Sequence, residues 1–166
     1  MNRALPFLLV LFSLASLTTL AAAGGREGTI GVGAEYQLSG VGGVSLNLDG
    51  GIYHAGAFLG FSDAGGTDDT DIMLGGRFFY HVHSTAMSDF GLGGSLGLEL
   101  AGDRRPNVDD NQTNVFIEPG AQIRAFVANN VALSITAGFA FAAGDAEGTA
   151  FTGQTAGSAG VHYYFF

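Results

Sequence analysis

The residues of this chain that could do chemistry are a few charged side chains standing alone among apolar or small neighbours. Five of them lie in the body of the sequence: Glu35, Arg77, Glu99, Glu118 and Arg124. A charge inside a protein costs several kcal/mol unless it is paired or hydrated, and arginine can bind a carboxylate through two parallel hydrogen bonds. These residues, with Gln37 and Gln122, therefore predict an internal ion-pair network. Such a network fills and fixes the interior of a hollow protein or, alternatively, forms a charged gate in a narrow pore.

Histidines and clustered acids are the candidate metal ligands. His81 and His83 are two residues apart, a spacing that puts two imidazoles on one strand face and can chelate a metal. No third ligand is evident, so we predict ordinary strand-end residues; His54 and His162 are interpreted as isolated. Two Gly-, Asp- and Asn-rich segments hold the acids Asp68, Asp69 and Asp71, and Asp103, Asp109 and Asp110. Because they lack the glycine and glutamate of an EF-hand loop, we predict solvated loops and no metal site.

No motif favours catalysis or nucleic-acid binding. The chain has no G-x-S-x-G elbow and no glycine-rich loop between a strand and a helix. It has no convincing histidine–serine pair on an apolar face and no cysteine. The net charge of −9 is the opposite of a nucleic-acid footprint. We therefore predict no enzyme activity, no cofactor and no nucleic-acid partner.

The elements that must position the charged residues alternate with a period of two. From Val131 to Phe141, apolar residues occupy every second position, which places them on one face of a strand but on different faces of a helix. The pattern recurs and predicts eight strands, near Gly28–Leu38, Gly43–Leu48, Ile52–Phe61, Asp71–Val82, Phe90–Leu100, Val115–Val127, Val131–Ala142 and Gly153–Phe166. Tight turns and longer polar loops alternate between them, apart from the short first connection, as in a transmembrane barrel.

The composition of the two strand faces indicates which solvent each one meets. Only 13% of the residues are charged, about half the share in soluble domains. The second face is mainly glycine, alanine and serine, which suits the tight interior of a barrel of about eight strands. The apolar face then needs an apolar solvent, and only closed barrels satisfy their backbone groups in lipid. We predict an all-β, eight-stranded antiparallel up-and-down transmembrane barrel; a soluble periplasmic lipid-binding barrel is a lesser alternative. The facing of strands three and eight stays open.

The first 23 residues read as a cleaved secretory signal peptide. Arg3 precedes the mostly apolar run Leu5–Leu20, and three alanines before Gly24 form a small-residue cleavage site. The run is short for a membrane span of about 20 residues, so an uncleaved anchor is less favoured. The mature domain is then Gly24–Phe166.

The chain ends on an aromatic strand, Val161-His162-Tyr163-Tyr164-Phe165-Phe166. A terminal phenylalanine on such a strand resembles the closing strand of bacterial outer-membrane barrels. With the signal peptide and the eight strands, the mature chain resembles the small outer-membrane proteins of the A, X and W types. The cleanest alternation stops at Phe165, one residue short of the end. The resemblance implies that Tyr164 and Phe166 belong to a signal read by the barrel assembly machinery.

From the resemblance and the strand pattern we expect a monomer in the outer membrane of a Gram-negative-type cell, with both termini in the periplasm. Its partners are expected to be outer-membrane lipids and lipopolysaccharide, and its role structural or surface-interactive, in membrane integrity or adhesion. The alternative is a narrow porin-like channel for small solutes or ions. Aromatic residues on the apolar face or near strand ends are expected to form interface girdles: Tyr36, Phe78, Tyr80, Phe90, Tyr163, Tyr164, Phe165 and Phe166.

Overall fold

Eight β-strands and their tight turns make up the computed structural model, which describes residues 26–37, 41–63, 70–101, 112–144 and 150–165. The strands are β1 Ile30–Gln37, β2 Gly42–Asp49, β3 Tyr53–Asp63, β4 Thr70–Ser84, β5 Ser88–Ala101, β6 Gln112–Ala128, β7 Val131–Gly144 and β8 Ala150–Phe165. All eight predicted strands are confirmed, each within a few residues of its predicted bounds. Across the described residues, no helix is long and apolar enough to cross a membrane. The predicted signal peptide lies outside the described residues.

The eight strands form one closed antiparallel barrel in sequence order, with β8 paired to β1. The register is staggered around the barrel. Following paired residues once around the barrel, from Gly33 on β1 through β2 to β7, ends at Thr152 on β8. The residue of β8 that pairs directly with Gly33 is instead His162. This offset of ten residues is the shear of the barrel, and it requires strands tilted by about 35–45°.

Tight turns join the strands at one end of the barrel, which we call the turn end. Gly51 has a φ of 78°, a left-handed conformation that favours glycine, and its N–H donates to Asp49 Oδ1 at 2.9 Å. In the β4–β5 turn, Thr85 Oγ1 accepts hydrogen bonds from the backbone N–H groups of Met87 and Ser88. The opposite end, the loop end, carries the three longer connections. Most of the predicted acidic loop residues fall there, outside the described residues.

The strand faces separate sharply by side-chain type. Large apolar side chains on the outer face are exposed, among them Phe61 at 67% and Ile135 at 66%. The inner face holds the buried polar side chains. On β3, Phe58 points inward while Leu59 and Phe61 point outward, which settles the facing that the sequence left open.

On β8 the inward residues are His162 and Tyr164, and the outward residues are Val161, Tyr163 and Phe165. The regular alternation that ends at Phe165 in the sequence therefore marks the outward face of β8. Tyr164 is 1% exposed, so its predicted place in an aromatic girdle is wrong. The physical reason is that its ring and hydroxyl have partners inside the barrel.

Large side chains fit inside this narrow barrel because glycines face them from neighbouring strands. A Cβ added at Gly31 would lie 2.8 Å from the Tyr164 ring. One added at Gly75 would lie 2.5 Å from the ring of Phe58. Real Cβ atoms essentially never come this close to another heavy atom. Glycine at these two positions thus complements a bulky ring on the neighbouring strand.

Candidate functional site: the barrel interior

Strand β6 passes every layer of the interior in turn. From the loop end to the turn end its inward residues are Asn114, Phe116, Glu118, Gly120, Gln122, Arg124 and Phe126. Phe116 and Phe126 are both buried, and charged or polar residues lie between them. Along this strand, charged and polar side chains of the interior are thus flanked by two buried aromatic rings.

Arg124 is the centre of the polar cluster near the turn end. Its Nη2 lies 2.6 Å from Asp49 Oδ2 and 2.6 Å from Asp89 Oδ2, and its Nε donates to Asp89 Oδ2 at 3.0 Å. Its Nη1 donates to Tyr164 Oη at 3.0 Å. The arginine side chain is 2% exposed, and those of Asp49 and Asp89 are 0% and 8% exposed. One guanidinium on β6 thus ties together β2, β5 and β8.

Aromatic rings cover this cluster. The guanidinium carbon of Arg124 lies 5.0 Å from the centre of the Phe126 ring and 5.6 Å from that of Tyr164, within the range of a cation–π contact. Phe126, Ala132 and Tyr164 form one buried apolar cluster. This cluster closes the interior at the turn end.

Arg77 and Glu35 form a second ion pair, farther toward the loop end. Arg77 Nη2 contacts Glu35 Oε2, and both side chains are almost fully buried. Gln37 Nε2 donates to Glu35 Oε1 at 3.1 Å, and the guanidinium of Arg77 lies 5.1 Å from the centre of the Phe58 ring. Because removing either partner would leave an uncompensated buried charge, the pair constrains β1 against β4.

A buried apolar cluster covers this ion pair from the loop side. Its members are Val41, Phe58, Met73 and Phe116, with Ala142 packed against them. The Phe58 and Phe116 rings are 6.2 Å apart between centroids. Together with the cluster at the turn end, it leaves no wide passage among the side chains described here.

Glu99 and Glu118 face inward, but neither forms an ion pair among the described residues. Glu99 accepts a hydrogen bond from Asn114 Nδ2 at 3.4 Å, and Glu118 lies opposite Ser95 in the register. Glu118 borders a cavity of about 10 Å³ that is also lined by Gln37, Thr136 and Ser158. All five predicted charges therefore lie on the inner face, but only three of them form ion pairs among the described residues: Glu35 with Arg77, and Arg124 with two aspartates.

The histidines are placed differently from the predictions. His54 and His162 are not isolated: His54 Nδ1 is 2.8 Å from His81 Nε2, and His162 Nε2 is 2.6 Å from Ser45 Oγ. His81 Nδ1 is 2.8 Å from the carbonyl oxygen of Gly51. Because a carbonyl only accepts, His81 donates there, and in its neutral form its Nε2 accepts from His54.

His83 is exposed and does not share the inner face with His81. The register shifts between these two residues, so a β-bulge breaks the alternation on which the predicted common face depended. Asp71 is likewise buried in β4 and does not belong to a solvated loop. In the described parts of the chain, no group of three His, Asp or Glu side chains could hold a metal ion.

Asp49 and Asp89 are two interior acids that the sequence reasoning missed. Asp49 begins the tight turn between β2 and β3, where its Oδ1 accepts the N–H of Gly51. Its other oxygen faces Arg124. Both acids could have been predicted from the alternation of their strands. Each occupies an inward-facing position, at the end of its strand nearest the turn.

Six of the predicted girdle aromatics are exposed on the outer face, with exposed fractions from 38% to 57%. They are Tyr36, Phe78, Tyr80, Phe90, Tyr163 and Phe165. Phe166, assigned with Tyr164 to the assembly signal, lies outside the described residues. Tyr164, which is described, points its ring to the interior and not to the surface.

A closed eight-stranded barrel with an apolar outer face and a polar, packed interior has the fold of a small outer-membrane β-barrel. Among solved structures, the N-terminal β-barrel domain of Pseudomonas aeruginosa OprF has this fold. It superposes with a TM-score of 0.65 at 12% sequence identity, over 84% of this chain and 98% of that domain. No family model matches the chain, and neither does the sequence of any curated protein. The similarity is therefore one of fold, and it agrees with the resemblance to the A-type proteins.

Proposed function

We propose that this chain is an integral outer-membrane barrel with a side-chain-filled lumen, whose role is structural or surface-interactive. Both termini lie in the periplasm, and the three longer connections face the outside of the cell. The observation that carries the proposal is the closure of the interior by two buried aromatic clusters with paired charges between them.

Support for membrane insertion comes from the outer surface. Its large apolar side chains are exposed on every strand, which in water would be an aggregation hazard. In lipid the same surface is satisfied, and strand closure leaves no edge without backbone partners. Tyr80, Tyr163 and Phe165 stand near the turn end of the barrel, where an aromatic girdle would meet the membrane interface.

Two measurements test this proposal. The first is a comparison of boiled and unboiled protein from detergent-extracted outer membranes on a gel, because a closed barrel resists the detergent until it is heated. We expect a heat-dependent shift in the membrane fraction; recovery as soluble protein without a shift would refute membrane insertion. The second is conductance across a planar lipid bilayer, for which we expect no steady pore with the wild-type protein.

A narrow channel is the second candidate function. It is favoured by a small polar cavity inside the barrel, near the buried apolar cluster at the loop end. The cavity is lined by Glu118, Gln37, Thr136 and Ser158. Its volume of about 10 Å³ corresponds to one water molecule. A steady wild-type conductance that Glu118→Gln changes in ion selectivity would establish the channel. If the lumen is filled, neither the wild-type protein nor the Glu118→Gln variant should conduct ions across the bilayer.

The partners follow from the same proposal. The barrel assembly machinery inserts the chain, and the outer loops meet lipopolysaccharide, directly or through divalent cations. The protein acts as a monomer, without cofactor, nucleic acid or catalysis. Exchange of the β5–β6 connection for a glycine–serine linker tests the surface role: adhesion or lipopolysaccharide binding should be lost while the heat-dependent gel shift remains.

A further inference from the structure

The outer face has a groove of about 610 Å³ halfway along β4, β5 and β6. Its floor is bare backbone, because Gly76 on β4 and Gly94 on β5 face outward as diagonal neighbours in the sheet. Pro119 lies beside Gly94 on β6. The walls are Phe78, Leu96 and Ile117.

The wall side chains do not close over the floor. Phe78, Leu96 and Ile117 are 49%, 58% and 54% exposed. A Cβ added at Gly76 would meet only the carbonyl oxygen of Gly56, at an ordinary contact distance of 3.6 Å. The groove is thus open space that a side chain at position 76 could occupy.

The side chains that form the walls of the groove are apolar. Arg77 and Ser95 also border it, but Arg77 is 6% exposed with its guanidinium paired to Glu35 inside the barrel. Ser95 pairs in the register with two inward residues, Arg77 and Glu118, and so belongs to the inner face. An occupant therefore finds shape and apolar contact but no partner for a polar or charged group.

We propose that this groove holds one acyl chain of a phospholipid from the surrounding bilayer. The inference rests on the proposed membrane location, since the groove is continuous with the outer apolar surface. A second copy fits less well, because the groove's few residues fall far short of the roughly 20–30 per partner of a standard interface.

Native mass spectrometry in a mild detergent tests this inference, after reconstitution with palmitoyl-oleoyl phosphatidylglycerol. We expect the wild-type barrel to retain one lipid. The variant Gly76→Leu fills the groove, and its lipid occupancy should fall about tenfold, equivalent to about 1.4 kcal/mol of binding free energy. Ala137→Leu, at another outward position on β7, is the matched control and should retain lipid like the wild type.

Three results would overturn the inference: a wild-type protein without retained lipid, equal retention by Gly76→Leu, or a dimer that Gly76→Leu dissociates. The heat-dependent gel shift is recorded for all three proteins. If the shift is absent from the wild type, the membrane barrel itself fails. If the shift is present in every protein but retention does not depend on position 76, only the lipid groove fails.

Discussion

Replacing Arg124 with methionine removes the residue that joins β2, β5, β6 and β8 near the turn end. Methionine keeps much of the apolar stem but removes two hydrogen bonds to Asp89, one to Tyr164 and the ion pair with Asp49. At about 1.5–3 kcal/mol for each hydrogen bond to a charged group, the three hydrogen bonds alone amount to about 4.5–9 kcal/mol.

The expected loss is smaller, because the variant no longer buries a guanidinium. Breaking a buried pair by removing one partner costs about 3–5 kcal/mol, and we expect the free energy of unfolding to fall by about 4 kcal/mol. The assay is urea unfolding in lipid vesicles, with the folded fraction read from the unboiled gel band. Arg26→Met, which changes an exposed arginine outside the strands, is the control and should alter stability by less than about 0.5 kcal/mol.

A triple variant separates the charge effect from a simple packing loss. Adding Asp49→Asn and Asp89→Asn to Arg124→Met removes the two carboxylates that the single variant leaves unpaired in the interior. We therefore expect it to regain about 2 kcal/mol over Arg124→Met. A single-variant loss below about 1 kcal/mol, the value of an exposed ion pair, would refute the claim that this cluster holds the barrel together. So would a triple variant less stable than the single one.

Three other substitutions test the packing of the interior by the same unfolding assay. Gly31→Ala drives a Cβ against the Tyr164 ring and should cost about 1–3 kcal/mol, whereas Gly76→Ala, which faces open space, should cost nothing measurable; equal effects would contradict the glycine-to-aromatic fit. Tyr164→Phe removes the hydroxyl that accepts from the buried arginine and should cost about 1.5–3 kcal/mol, while the outward Tyr163→Phe should be neutral. Ser45→Ala leaves a buried imidazole without its 2.6 Å partner and should cost about 1–3 kcal/mol; an unchanged midpoint would show that the bond contributes little.

The strands and their closure could be predicted because a two-residue period with an even number of strands leaves few arrangements. The facing of β3 and β8 could not, since both parities carry aromatic residues there. In β8 the deciding fact is three-dimensional: the ring of Tyr164 fills space that Gly31 leaves on the neighbouring strand. One sequence alone does not say which glycine will meet which ring, because the register around the whole barrel must be known first.

The interior charges show the same limit. The alternation along each strand was enough to place all five predicted charged residues on the inner face. Which of them form ion pairs also depends on the tilt of the strands, because the tilt brings together residues at different positions along their strands. Arg124 thus pairs not only with Asp89, which lies directly opposite it in the register, but also with Asp49 on the non-adjacent strand β2. It does not pair with Glu118, six residues away on its own strand. The expectation that His81 and His83 share one strand face was wrong for a local reason. A single β-bulge lies between them, and a strict two-residue period does not predict bulges.

The fit between bulky residues and glycines also bears on where function resides. An interior in which the rings of Phe58, Phe116 and Tyr164 occupy space left by glycines has little room to rearrange, because close-packed interiors respond even to one added methylene. Arg77 and Arg124, the inner-face arginines among the described residues, are both held by carboxylates, so neither is free to bind a passing ion. Under the proposed function, specific recognition therefore falls to the connections between strands and to the proposed lipid groove, and not to the packed interior.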